Sequence, residues 1–262
     1  MIMNKEEELF QKRLIDLANQ ADRRNRITFS DFLNLNELNI LHSSAKELSF
    51  VKWQLFGGYE FAERQIAAFI PDALSFVLED SEGDFKNEFP IACICIAALN
   101  EKYADTLTHR DYLGAILNLG IERSMIGDIV VDERKAYLFC HQKMADYICQ
   151  ELTRVKHTVV SLSVMAMQNL DYQPKSQQIK GSVASVRLDS LLSLAFGSSR
   201  SKLTELIEGG KVFVNGKLVT SNGYKVKEQD IISARGFGRF RFIGQGTVTK
   251  KGRLFVEIEK YI

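Results

Sequence analysis

Apolar positions along this chain repeat with two different periods. In residues 1–45 they keep helical spacing. Leu9, Leu14, Leu17 and Ala18 give a broken apolar face, and residues 29–41 add a second one. From Phe50 the pattern changes to alternating strands and helices. Residues 51–56 predict a strand ended by Gly57-Gly58, and residues 61–69 a helix ended by Pro71. Strands are predicted at 74–78 and 91–98, then a helix at 112–119 stopped by Gly120. Residues 129–131 and 136–139 predict a hairpin turning through Asp132-Glu133-Arg134-Lys135. A helix at 144–152 and a strand at 155–164 close this part. The order of elements indicates an α+β sandwich of split βαβ type.

Residues 171–182, with Pro174 and Gln177-Gln178, predict a polar linker. Beyond it the helical period returns in two short stretches. Leu188, Leu191, Leu192 and Ala195 form one apolar face, and Leu203, Leu206 and Ile207 another. Ser185 can cap the first helix and Ser198 or Ser199 the second, which Gly209-Gly210 ends. Val212 and Val214 then alternate as a strand. Asn215-Gly216 suits a turn with positive φ at both positions, so residues 211–219 predict a hairpin. Strands follow at 226–234, 239–243 and 254–258. The Gly236-Phe237-Gly238 and Gly244-Gln245-Gly246 segments precede no helical pattern and predict turns in this sheet. The domains expected are 1–45 (helical), 46–170 (α+β body), 171–182 (linker) and 183–262.

Charge divides the chain in the same place. Residues 185–262 hold 14 Lys and Arg against 7 Asp and Glu, whereas residues 1–184 hold 20 against 26. A nearly neutral protein is thus a basic tail on an acidic body, which points to a polyanionic partner. Arg200 and Lys202 sharpen this reading. They fall in the first turn of a predicted helix, where the macrodipole disfavours cations and the free N–H groups suit phosphate. Arg235, Arg239 and Arg241 alternate with Phe237, Phe240 and Phe242, which places cations on one face and rings on the other. The rings are expected in the core rather than against bases.

The tail resembles the S4 RNA-binding (alpha-L-like) domain. The resemblance rests on Arg187-Leu188-Asp189, Ser199-Arg200-Ser201 and the run from Gly210 to Gly216, Gly-Lys-Val-Phe-Val-Asn-Gly. It implies that Arg187, Ser199, Arg200, Ser201, Lys202, Lys211, Asn215, Lys217, Lys225, Arg235, Arg239 and Arg241 contact structured RNA. One departure is Glu228-Gln229-Asp230, where many members have Gly before the Asp.

In the body, His109-Arg110-Asp111 matches the first letters of a kinase catalytic loop. That chemistry needs Asn five positions after the Asp to hold a metal, and Ile116 stands there. Cys93 and Cys95 alternate with Ile94 and Ile96 and fit core positions, and with the distant Cys140 and Cys149 they are poorly spaced for zinc. No cofactor or metal is expected. The phrases His109-Arg110-Asp111-Tyr112-Leu113-Gly114 and Gly120-Ile121-Glu122-Arg123-Ser124-Met125-Ile126-Gly127-Asp128-Ile129 are similar to those of the YlmH family of S4-domain proteins. That resemblance implies an N-terminal helical segment, an RNA-recognition-like body and a C-terminal S4 domain. It also implies RNA binding without catalysis, on the large ribosomal subunit bearing peptidyl-tRNA, as in rescue of stalled translation. Members are often encoded beside cell-division genes. Any contact of the acidic body with RNA is expected to be local, through His109, Arg110 and Arg123.

The expectation is therefore a cytoplasmic, non-enzymatic protein that binds ribosomal RNA and tRNA, with no membrane contact. Its rivals are an RNA-modifying enzyme, of pseudouridine synthase or methyltransferase type, and a cell-division-linked scaffold. The synthase needs a catalytic Asp in a basic loop, yet Arg187-Leu188-Asp189 is absorbed by the S4 match. The methyltransferase needs a Gly-rich cofactor loop, and Gly57-Gly58 lacks the rest of it.

Overall fold

The computed structural model describes residues 4–75, 85–133, 135–167, 170, 172, 174–250 and 252–261. The chain forms two compact units, Met1–Tyr172 and Gln173–Ile262. In the first, α1 (Lys5–Arg24) begins at a capping box: the Asn4 side chain accepts from the Glu7 N–H at 2.9 Å, and the Asn4 N–H donates to the Glu7 carboxylate at 3.0 Å. A second capping box, Asn34 with Glu37, opens α2 (Leu35–Ser43). Between the helices lies β1 (Thr28–Phe29), and after them β2 (Lys52–Phe56) and β3 (Ile66–Ile70). These strands form an antiparallel sheet in the order β1-β3-β2. The sheet crosses the boundary expected at residue 45, because β1 lies before it and its partner β3 beyond.

β3 also replaces the helix expected at 61–69. All five of its residues are buried. Ala67 and Phe69 join a core with Leu14, Ala18, Leu38 and Leu41 of the two helices. Ile66, Ala68 and Ile70 join a second core on the opposite side. A strand covered on both faces loses the polar alternation that marks strands, so its short apolar run carries no period of its own.

The second core is shared with a five-stranded antiparallel sheet. Its elements are β4 (Ile91–Ala98), α3 (His109–Leu117), β5 (Ile126–Asp132), β6 (Lys135–His141), α4 (Gln142–Glu151), β7 (Arg154–Val155) and β8 (Thr158–Met165). The strand order is β5-β6-β4-β8-β7. This is the expected split βαβ arrangement, with β4 and β6 in the centre. The strand expected at 155–164 is broken into a hairpin, where Lys156 takes φ +52°. The strand expected at 74–78 falls mostly outside the described residues, and Leu74 closes a 3-10 turn, Asp72–Leu74. One sheet face carries Ile94, Ile96 and Leu138 against Tyr112, Ile116 and Ile148 of the helices. The other face presents Ile91, Cys93, Val130 and Phe139 to Phe32, Ile66 and Ile70 of the first layer.

The start of β5 locks the two layers. Asp128 accepts hydrogen bonds from the Tyr59 hydroxyl at 3.0 Å, the Glu63 N–H at 2.7 Å and the Arg64 N–H at 3.1 Å. Arg64 donates in return to the carbonyls of Ile126, Phe32 and Arg123. Gly127 allows the layers to meet: a Cβ there would lie 2.6 Å from the Phe32 ring.

The second unit contains β9 (Ser176–Val183), α5 (Leu188–Phe196), α6 (Arg200–Glu208), β10 (Val212–Val214), β11 (Lys217–Leu218), β12 (Ile231–Ala234), β13 (Gly238–Val248) and β14 (Leu254–Tyr261). Its six-stranded sheet runs β11-β10-β12-β13-β14-β9. Leu188, Leu191, Leu203 and Ile207 pack on Val212, Ile232, Phe240, Phe242 and Ile258. Two expectations change here. The linker expected at 171–182 instead supplies β9, which pairs with β14 along its whole length. It read as linker because this edge strand turns only Ile179, Gly181 and Val183 toward the core, among Ser, Gln and Lys. Gly244-Gln245-Gly246 is no turn either. It lies inside β13, where the pairing with β14 shifts register.

The cysteines are free, and burial pushes the Cys93 and Cys140 thiols up to about 12. No described helix is long and apolar enough to cross a membrane. The interlayer lock is testable. Gly127→Ala should lower the unfolding free energy by about 1–3 kcal/mol through overpacking against Phe32, measured by urea denaturation. Unchanged stability would show that the layers can part at this point.

Candidate nucleic-acid interface

The cations named from sequence sit at separate places in the second unit. Ser199 caps α6: its hydroxyl accepts from the Lys202 N–H at 3.5 Å and lies 3.2 Å from the Ser201 hydroxyl. Arg200, Ser201 and Lys202 therefore form the first turn of that helix. The Lys202 ammonium lies 5.3 Å from the centre of the Phe237 ring. The turn holding Phe237 also brings in Arg235, whose N–H donates to the Lys211 carbonyl at 2.9 Å and whose guanidinium covers the Phe213 ring at 5.1 Å. Ser201, Lys202, Lys211 and Arg235 are all exposed. The start of α6 and the β12–β13 turn thus gather three basic residues, Lys202, Lys211 and Arg235, at one end of the sheet.

Other named residues have structural work. Arg187 is the N-terminal flanking residue of α5, the position expected for Ser185, and it gives that helix no side-chain cap. Its guanidinium makes a two-pronged pair with Asp189, at 3.1 and 3.0 Å. Lys225 lies opposite it in an isolated bridge. Asn215 and Gly216 form the expected hairpin turn with φ +49° and +78°. The Asn215 side chain is spent inside the fold: its amide donates to Asp230 at 2.7 Å and its oxygen accepts from the Ile231 N–H at 2.8 Å. Lys217 stays exposed on β11. Arg239 and Arg241 project from the sheet face opposite the helices, with the Arg239 guanidinium 5.8 Å from the Tyr261 ring. Phe240 and Phe242 are in the core as expected, and Phe237 is only half-buried.

In the body, Arg123, in the turn before β5, donates to the carbonyls of Ile126 and Gly127 at the start of that strand. Burial, with Arg64 alongside, lowers its pKa to about 10. It is part of the interlayer lock rather than an exposed cation. His109 opens α3, and its pKa is lowered by burial and by Arg123. Arg110 is exposed and borders a cavity of about 530 Å³ with Asn118, Arg154 and Lys156. There Lys156 pairs with Asp111 at 2.9 Å, which, with hydrogen bonds from Thr108, holds that carboxyl at about 2.

The central strands β4 and β6 are those whose aromatic side chains stack bases in RNA-recognition sheets. Here that face is occupied. Phe139 of β6 is fully buried and stacks on Tyr59 at 4.8 Å and 11°.

Three family models match the chain: "YlmH, N-terminal" over residues 6–73, "Putative RNA-binding domain in YlmH" over 85–169, and "S4 domain" over 186–232. The "Ribosome-associated protein quality control protein P2" of Bacillus subtilis (strain 168) is 31% identical over 260 residues, covering 98% of this chain and 96% of the relative. The chain belongs to the YlmH family. A small ribosomal subunit protein uS4 from Dichelobacter nodosus is 32% identical over 103 residues, 36% of this chain and 48% of that protein. The solved structure "Cell division protein ylmH from Streptococcus pneumoniae" has a TM-score of 0.51 at 22% identity, covering 65% of this chain and 97% of its own, and supports the fold.

Membership explains the phrase from Gly120 to Ile129. Its Arg123, Gly127 and Asp128 are the parts of the interlayer lock. It also gives weight to Gln229. This residue adopts φ +68° beside the Asn215–Asp230 latch, at the position where the S4 resemblance leads one to expect Gly. Left-handed backbone strains a residue with a Cβ, and Gly relieves that strain while adding freedom to the unfolded chain. Gln229→Gly should raise the unfolding free energy by about 0.5–1 kcal/mol. Thermal melts showing a lower midpoint would mean that the turn is relaxed as it stands.

Proposed function

We propose that this protein is a cytoplasmic, non-catalytic RNA-binding factor. It docks its C-terminal unit on ribosomal RNA of the large subunit bearing peptidyl-tRNA and acts in quality control of stalled translation. The reading is carried by end-to-end similarity to a ribosome-associated quality control protein. The basic residues around α6 and the β12–β13 turn agree with it. Binding at such a surface is led by phosphate contacts, which position the protein without reading sequence. Function then consists of holding one state of a ribosomal complex, with the body adding shape.

The pseudouridine synthase reading needs an Asp free to act on a base. Asp189 is instead held by Arg187 and accepts from the Ser190 N–H at 2.9 Å. The scaffold reading draws on the name of the Streptococcus pneumoniae cell division protein whose fold this chain shares, and the basic surface gives no reason to prefer it.

Two measurements test the proposal. With about five phosphate contacts, the logarithm of affinity for ribosomal RNA should fall against the logarithm of salt with a slope of roughly −3.5 to −4.5. A flat response removes the phosphate grip. Ribosomal RNA incubated with the protein, with and without S-adenosylmethionine, should keep unmodified nucleosides by mass spectrometry. Protein-dependent pseudouridine or methyl groups would favour the enzyme.

A further inference from the structure

The Phe237 ring has a surrounding that core packing does not require. Phe240 and Phe242 of the next strand are buried in the core, whereas Phe237 is only partly buried at the tip of the β12–β13 turn. It stands between Gly236 at φ +81° and Gly238 at φ +114°. A Cβ at Gly236 would meet no atom within 4 Å other than those of its chain neighbours, so the backbone of the turn tip is uncrowded. Phe237 leans on Phe196, with centroids 5.5 Å apart and planes at 55°. Two ammonium groups cover this aromatic pair: Lys202 lies 5.3 Å from the Phe237 centroid and Lys260 lies 5.2 Å from that of Phe196. Arg235 begins the same turn, but its guanidinium lies over Phe213, on the sheet face away from this pair.

From this we infer that Phe237 is the stacking platform for one unpaired nucleotide of the bound RNA, with Lys202 taking a neighbouring phosphate. The inference rests on the proposed RNA-binding function. An exposed cation–π contact is a weak interaction, and a base stacked on an aromatic ring is the stronger one. The Lys202 ammonium, on a flexible four-carbon stem, can leave the ring for a phosphate as the base arrives. Exchange of a cation cover for a base cover therefore favours binding. The base comes from a loop, bulge or end, because a base within a duplex already has both faces stacked. A ring at a turn tip, with cations beside it and backbone of minimal bulk, fits this ligand.

The test titrates full-length protein with a short oligoadenylate and with a blunt RNA duplex. Phe237→Leu should weaken oligoadenylate binding by roughly ten- to hundredfold and change duplex binding by less than about twofold. Phe237→Trp should bind oligoadenylate at least as tightly as the parent does, which keeps the test decisive if the leucine variant folds poorly. Lys202→Gln should weaken both probes. Equal loss on both probes with Phe237→Leu, no loss on either, or weak oligoadenylate binding by Phe237→Trp would overturn the platform. If the parent binds neither probe, the proposed RNA-binding function fails with it. If Lys202→Gln weakens binding and Phe237→Leu does not, only the platform fails.

Discussion

Burial of β3 on both faces is the constraint on which the arrangement of the first unit depends. Its Ala67 and Phe69 belong to one core and its Ile66, Ala68 and Ile70 to another. One strand therefore joins the N-terminal helices to the five-stranded sheet, and Asp128 and Arg64 fasten the join with hydrogen bonds to backbone. The consequence reaches function. The sheet has the strand order of an RNA-recognition fold, but the face that would stack bases is filled by Phe32, Tyr59 and Ile66. Recognition of RNA by that face would require parting a packed interior. That face is closed to a polyanion, and the proposed grip falls to the second unit and to local cations such as Arg110.

In the second unit, stability and binding set different demands on the same residues. A helix start prefers acidic side chains, and α1 has Glu6, Glu7 and Glu8 in its first turn. The first turn of α6 has no acidic residue and holds Arg200 and Lys202. Ser199 satisfies one N–H group there, as a capping residue should, while the charges run against the dipole. An RNA phosphate reverses the sign of that cost, since it interacts favourably with both cations and helix end. Elsewhere the same unit puts its polar residues to structural use, as with Asn215 on Asp230 and Arg187 on Asp189.

Much of this was legible in the sequence where local rules and tertiary packing agree. The two helices of the C-terminal unit, the Asn215-Gly216 turn and the split βαβ order follow from period and turn chemistry. Two of the failures share a physical source: burial that differs from the half-buried norm. β3 is covered on both faces and reads as a helix. β9 is a mostly polar edge strand and reads as a linker, because its place is set by pairing with β14. At the site, charge located the basic end of the sheet but could not separate exposed cations from engaged ones. Arg123 resembles Arg110 in sequence, yet only the fold shows it bonded to the first carbonyls of β5.

The central claim is that the RNA grip lies at the first turn of α6. The most direct measurement compares co-sedimentation with ribosomes for Arg200→Gln with Lys202→Gln against Lys12→Gln with Lys46→Gln, two exposed cations of the first unit. The α6 pair should lower affinity by roughly tenfold to several hundredfold, at on the order of 1.5–3 kcal/mol for each charge-assisted bond, with circular dichroism unchanged. The control pair should change it by no more than about twofold, as expected for solvated surface charges. Equal co-sedimentation of a folded α6 variant and the parent would contradict the account.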